Sequence, residues 1–436
     1  FRTMWRLSVR ALRWTQTAGA RWWLAGVPAM DARAVGWFRV VFAGMLGLFL
    51  WVEWRGAVPL DQQRALHIPV MNWIRPWAAE PSVVSGLQWA LLAGLAVFAA
   101  GLWRRLTFAV VVAGFELWFF VFALGTGAHP LGLLPLVLPM LLLVPWHGGR
   151  GSVPYGFAPW VLGLALGIAF VAAGYSKGAT WALNGTVRYH FMVDGEIALL
   201  PWGLWIAAHP GLSVVVSTFV VVGEHVVILG MFWPPLWRAR MGLVVVGLIT
   251  GFSVFHHAIW PAWWVMLLGF VPWEWLNHAP EGRGVAGERA VRLPAMAALA
   301  VLLLALQQVV VSAARIEMAP YFSAYDMYST TFASPEEFER TNGAPRLLVL
   351  ASVRSGERDI SDCLGADAPA RQELETAARV GTAPRTPVAR QYVVDCAATF
   401  RATRVRVLAE QRTYDWEHGR TGYRFRDRLI AEWPVP

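Results

Sequence analysis

The sequence predicts a mainly α, polytopic membrane protein: a transmembrane bundle of about nine spans followed by a small extracytoplasmic domain of α/β or β type. Three observations carry this. Hydrophobic residues make up 57% of the 436-residue chain and charged ones only 15%, and the mean hydropathy is +0.46, outside the range of soluble domains. Long apolar runs recur from residue 34 to residue 312, and the 26 Trp and 23 Phe suit the aromatic belts of a bilayer protein. From residue 313 onward the chain is charged and alternates in short stretches. The formal charge of +9 is therefore read by location, as a signal of membrane orientation, and nothing in the chain resembles a nucleic-acid motif.

Residues 1–33 are basic and Trp-rich (Arg2, Arg6, Arg10, Arg13, Arg21, Trp22, Trp23), the composition of a segment lying on the inner membrane surface. They lack the apolar core and small-residue cleavage site of a secretory signal, and the first residue is not Met. The expected spans are 34–52, 83–102, 107–124, 129–145, 155–175, 212–235, 241–259, 261–275 and 293–312. The fourth and eighth are short for a bilayer of about 30 Å.

Arginine counting sets the orientation. With the N-terminus cytoplasmic, the inner side holds Arg2, Arg6, Arg10, Arg13, Arg21, Arg33, Arg104, Arg105, Arg150, Arg238, Arg240, Arg283, Arg289 and Arg292. The outer connections hold only Arg55, Arg64, Arg75, Lys177 and Arg188. This imbalance puts the N-terminus inside and, after nine spans, residues 313–436 outside, as in a bacterial inner-membrane protein. Strands are expected in that region at Arg346–Val353, Gln391–Val394, Thr403–Leu408 and Tyr423–Ile430. Both cysteines, Cys363 and Cys396, fall there. In an oxidising compartment such a pair reads as one disulfide, and without neighbouring His ligands it does not suggest zinc.

Polar residues inside apolar runs need a partner or a function. Arg39 sits in the first span, Glu116 in the third and Glu224-His225 in the sixth. A buried Arg39–Glu pair holding the bundle together is the expectation for Arg39 and Glu116. For Glu224 and His225 the structural and functional readings stand level. Lys177, at the end of the fifth span, is the only lysine in a chain with 37 Lys and Arg residues. Arginine never gives up its proton in a protein, whereas a desolvated lysine is able to act as a base. Either one lysine survived by chance, or this position needs an amine. His129, Lys177, His256 and His257 all fall at outer span ends. Three imidazoles are enough for a metal site in principle, but an adjacent His pair points two ways on a helix, so no metal is expected.

Four stretches together resemble a known family. Asp31-Ala-Arg-Ala-Val-Gly-Trp-Phe-Arg39 is similar to the opening of the HTTM domain, the membrane module of vitamin K-dependent gamma-carboxylase. Ala173-Gly-Tyr-Ser-Lys177, followed by Trp181 and Gly185, resembles the segment holding the carboxylase's catalytic lysine. His129-Pro-Leu-Gly-Leu-Leu and Phe255-His256 resemble two further family motifs, and the likeness covers about residues 31–275. It implies that Lys177 deprotonates a reduced quinone (menaquinone or vitamin K-like), which oxygen converts to a strongly basic alkoxide. That base takes a γ-proton from a protein Glu, and the carbanion captures carbon dioxide. His129 and His256 are then candidates for stabilising an oxyanion or relaying a proton. Trp181, Tyr175, Glu224, His225 and His257 are candidates for lining the quinone pocket. The chain departs from the family in having Ser176-Lys177 where the carboxylase has two lysines. The Lys-to-Trp spacing is one residue shorter, and the outer domain of about 120 residues is much smaller than the lumenal region that grips the carboxylase's peptide.

The sequence thus supports an integral-membrane enzyme acting on an extracytoplasmic peptide, protein or lipid-borne substrate. A non-catalytic subunit binding a membrane-protein partner is the second reading. A transporter or lipid-binding protein using the Glu224-His225 level is the third, against which stands the lack of an evident inverted repeat.

Overall fold

Among the described residues, a helix coincides with each of the nine apolar runs. The computed structural model describes residues 27–55, 80–119, 133–143, 146, 156–194, 198–256, 260–277 and 295–314. Beyond these it describes 317–318, 322–323, 332, 334–342, 346–354, 356–364, 369–380, 383–384, 386–410, 412–423 and 428–436. The chain divides into two compact units. The first comprises residues up to Ala182 and Thr218–Thr330, the second Leu183–Ser217 and Thr331–Pro436.

In the first unit the helices are α1 (Ala32–Arg55), α2 (Pro81–Ala100), α3 (Arg104–Trp118), α4 (Leu134–Leu141) and α5 (Phe157–Leu183). Leu183–Ser217, which follows α5, holds α6 (Val187–Asp194) and α7 (Trp202–Ala208) and belongs to the second unit. Next come α8 (Pro210–Val226), whose residues up to Ser217 group with the second unit, continued by a 3₁₀ segment to Phe232, α9 (Pro235–His256), α10 (Pro261–Leu267) and α11 (Ala295–Ala314). Among the described residues, five helices are long and apolar enough to cross a bilayer: Ala32–Glu53, Ser82–Ala100, Phe157–Leu183, Pro210–Phe232 and Pro235–His256. This is a membrane protein by length and composition. The fourth and eighth runs contain helices of 8 and 7 residues. Prolines occur in both, Pro135 and Pro139 in α4 and Pro261 at the start of α10.

Helix α5 is the centre of this unit. Its apolar stretch is 89% buried, against 39% or less in the other four. Close backbone approach makes this possible. A Cβ on Gly269 would lie 2.1 Å from the Gly163 backbone nitrogen, and one on Gly167 would lie 3.0 Å from Cα of Ile228. Without a hydrophobic drive between helices in lipid, contacts of this kind supply the packing. A second cluster forms where Phe38, Phe42, Phe98 and Phe108 surround Trp146, with ring centroids 4.9 to 5.8 Å away. The Trp146 Nε1–H donates to the Leu141 carbonyl at 3.1 Å, so its one polar group is satisfied. Asp31 caps α1 by accepting from the Ala34 amide at 2.8 Å. Asn277 ties this entry down, accepting from the Asp31 amide and donating to the Ala29 carbonyl, both at 2.9 Å.

The second unit is built on a four-stranded antiparallel sheet of order β4-β3-β5-β8. Its strands are β3 (Arg346–Val353), β4 (Gly356–Asp359), β5 (Arg404–Glu410) and β8 (Arg428–Pro434), and β6 (Arg412–Asp415) and β7 (Arg420–Tyr423) form a separate hairpin. (The two-residue strands Glu317–Met318 and Phe322–Ser323, β1 and β2, belong to the first unit.) Leu347, Val349, Ala351, Val405 and Val407 alternate onto one face and pack with Leu374, Ala378, Val393 and Ala397. The last four come from α13 (Pro369–Val380) and α14 (Pro387–Thr399); α12 is Pro335–Asn342.

One expectation is corrected here. Gln391–Val394, expected as a strand, lies inside α14. Thr386 caps that helix by accepting from the Ala389 amide, Pro387 occupies its first turn, and Ala389, Val393 and Ala397 recur every four residues on its buried face. The local β-propensity of Tyr392-Val-Val yields to that periodicity. Leu183–Ser217, which carries Arg188 of the outer connection, groups with the C-terminal residues. Its Tyr189 is 2% exposed in a cluster with Phe332 and Phe338, and Arg188 lies 4.9 Å over the Trp416 ring.

Cys363 and Cys396 stand at disulfide distance, with Cα atoms 6.2 Å apart and a sequence separation of 33. Closing a loop of that length contributes about 3–4 kcal/mol. Replacing both cysteines by Ala is therefore expected to lower the protection of α14 amides in native-state hydrogen exchange by about that amount. Unchanged protection would show that the pair does not staple this unit.

Candidate functional site

The residue that sequence reading singled out is buried in an ion pair. Lys177 is 5% exposed and Glu224 is fully buried. The Lys177 Nζ donates to Glu224 Oε1 at 2.8 Å and to Oε2 at 3.1 Å. Lys177 is the last residue before the break in α5 at Gly178, as the sequence reading placed it. Glu224 lies 14 residues beyond Pro210 in the apolar span Pro210–Phe232, about 21 Å along the axis at 1.5 Å per residue. A single charge at such a depth is expensive, and each of these two groups answers the other.

Glycines make the contact possible. Gly174 precedes Lys177 by three residues, on the same face of α5. A Cβ there would lie 2.7 Å from the His225 ring and 3.1 Å from the Glu224 Cβ. Any larger residue at 174 would hold α8 away and lengthen the Lys177–Glu224 contact. Directly after Lys177, Gly178 adopts φ 68° and ψ −178°, breaking the helix. That region is essentially reserved for glycine. The break redirects the chain so that the buried Trp181 brings its ring centroid to 5.7 Å from Nζ. Lys177 therefore faces a carboxylate and the face of an indole.

The remaining candidates are placed as follows. His225 is an exposed residue of α8 whose Nδ1 lies 2.7 Å from the Val221 carbonyl. Tyr175 is 68% exposed, two residues from Lys177 and so on another face of α5. His256 is 8% exposed at the end of α9, its ring 6.1 Å from that of Phe252 in a row that continues to Trp260 and Trp263. His129 and His257 lie outside the described residues. Arg39 donates twice to the Ala99 carbonyl, at 3.2 and 3.3 Å. There it caps the C-terminal end of α2, beside Gly101 in the left-handed conformation. Glu116 is half-buried in α3. Among the described residues no group of three His, Cys, Asp or Glu is arranged to hold a metal ion.

Two features escaped the sequence reading. Arg238, counted as a loop cation, is 1% exposed in α9 and paired with Glu274. Its signal was an arginine two residues from Arg240, so that only one of them is able to face out on a helix. The second is the break at Gly178, signalled by a glycine following the only lysine.

The arrangement is able to hold one proton between an amine and a carboxylate. Ammonium–carboxylate and amine–carboxylic acid are both neutral overall, so moving the proton across 2.8 Å changes no net charge in the low-dielectric interior. Gly178→Ala is expected to lower thermal stability by about 1–3 kcal/mol through backbone strain alone, since nothing lies within 4 Å of the added Cβ. Gly174→Ala is expected to lose a similar amount by overpacking. A melting temperature unchanged in both variants would show that the pair does not depend on these two glycines. No family model, curated protein or solved structure matches the chain.

Proposed function

We propose that this chain is an integral-membrane enzyme in which Lys177 and Glu224 act together as a proton-transfer pair, with chemistry related to that of vitamin K-dependent gamma-carboxylase. The observation supporting this is the buried contact itself: the only lysine of the chain meets a carboxylate inside an apolar span at 2.8 Å. Glu224 takes the ammonium proton and leaves a neutral amine, which then accepts a proton from an acidic hydroxyl. The surrounding apolar helices exclude water, so the proton is not exchanged with solvent. Trp181, buried with its ring centroid 5.7 Å from the amine, is the aromatic surface assigned to an aromatic substrate.

This donor set suits a reduced quinone of the menaquinone or vitamin K class, held by Lys177, Glu224 and Trp181. Bound there, a reduced quinone would supply, together with oxygen, the strong base that a carboxylation requires. The nine-span topology, the cytoplasmic N-terminus and the extracytoplasmic second unit belong to the same proposal. They rest on the arginine distribution and on the Cys363–Cys396 pair in the second unit. An extracytoplasmic peptide or protein is the proposed final substrate.

A second reading has its own support. Each charge of the pair is consumed by the other and sealed from solvent, as in a contact whose task is to register two helices of a scaffold. One set of variants separates the two. Removing either partner alone strands a buried charge and is expected to destabilise by about 3–5 kcal/mol, whereas the apolar double variant Lys177→Met/Glu224→Leu is expected to be near neutral in stability. In nanodiscs supplied with reduced menaquinone, the wild type is expected to consume oxygen, and the stable double variant to do so at least about 100-fold more slowly. Uptake equal in both, or absent from the wild type, would leave the scaffold reading in place.

A further inference from the structure

We propose that the start of α9 carries a binding site for one anionic phospholipid, separate from the Lys177–Glu224 pair and independent of its role. Between α9 and the segment Leu267–Trp275 runs an open apolar groove of about 440 Å³, lined among others by Leu243, Val246, Phe270, Val271 and Trp275. That volume lies within the roughly 300–1,000 Å³ typical of small-molecule sites. Arg240 also lines the groove and is exposed.

The identity of the occupant follows from charge and position. Arg238 next to it is buried and matched by Glu274. Arg240 has no carboxylate partner among the described residues, and its contact is the Trp237 ring, 4.6 Å from the guanidinium carbon. An unmatched guanidinium at the end of an apolar groove fits a phosphate headgroup whose acyl chain lies along the groove. Trp233, Trp237 and Trp275 are all exposed at this end, which is where indoles sit when a helix passes through the headgroup layer. Gly242 keeps the floor of the groove tight, since a Cβ there would lie 3.0 Å from that of Phe270. The apolar stretch beyond it, with Leu243 71% exposed, faces lipid in a membrane-length helix.

The test uses the full chain, delipidated in detergent and titrated with dioleoyl phosphatidylglycerol or dioleoyl phosphatidylcholine, with bound lipids counted by native mass spectrometry. The wild type is expected to retain one phosphatidylglycerol about fivefold more tightly than phosphatidylcholine, the equivalent of about 1 kcal/mol. Arg240→Gln is expected to abolish that preference, while Arg105→Gln, at an exposed cation on α3, leaves it intact. Ala239→Trp, which fills the groove, is expected to weaken both lipids, and glycerol 3-phosphate alone is expected not to displace the lipid. Equal retention of the two lipids by the wild type would overturn the proposal. So would an Arg105→Gln loss as large as that of Arg240→Gln. A dimer that holds no lipid would assign the groove to a second copy of the chain instead.

Discussion

A charge buried in an apolar helix is tolerated only while its partner stays in reach, and this condition governs the bundle. Lys177 on α5 and Glu224 on α8 are 47 residues apart in sequence and meet at 2.8 Å. Any sliding or separation of the two helices would leave an ammonium and a carboxylate unmatched in a medium that solvates neither. The pair therefore penalises any change in the register of α5 against α8. The helices comply because their contact faces are small: Gly163 and Gly167 admit neighbouring backbone, and Gly174 admits the side chains at 224 and 225.

The same logic explains why Lys177 precedes a glycine. An uninterrupted helix would carry the chain straight on after Lys177. The positive φ of Gly178 turns it instead, and Trp181 comes to cover the amine. The strain of a left-handed residue is avoided by having no Cβ, and the benefit is a cation enclosed on two sides. Arg238 and Glu274 repeat the principle elsewhere in the unit, a buried guanidinium answered by a carboxylate from the 3₁₀ turn Trp273–Leu276. In each case the sequence partners lie on different elements, separated by 47 and 36 residues.

That separation marks what was legible in the sequence. Apolar runs announce helices because bilayer burial is a property of each run by itself, and a helix appears in every one. Lys177 and Glu224 were each conspicuous as polar residues in apolar surroundings, yet their pairing depends on how two helices cross, which no local pattern encodes. Arg39 shows the same limit. A carboxylate was the expected partner, whereas its described hydrogen bonds go to the Ala99 carbonyl, an acceptor that every residue carries and that no sequence pattern marks. Gln391–Val394 fails differently. Its four residues favour a strand, and only the cap at Thr386-Pro387 and the longer spacing of Ala389, Val393 and Ala397 reveal a helix.

The second unit extends this argument from pairs to domains. Leu183–Ser217 is interrupted by polar residues and turns, so hydropathy alone leaves it as a connection between two spans. Its fate is decided by Tyr189 and Arg188, which pack against Phe332, Phe338 and Trp416 from the C-terminal region. Because the segment is bound covalently to α5 at one end and α8 at the other, the folded C-terminal residues engage the very connection that joins the two helices bearing Lys177 and Glu224.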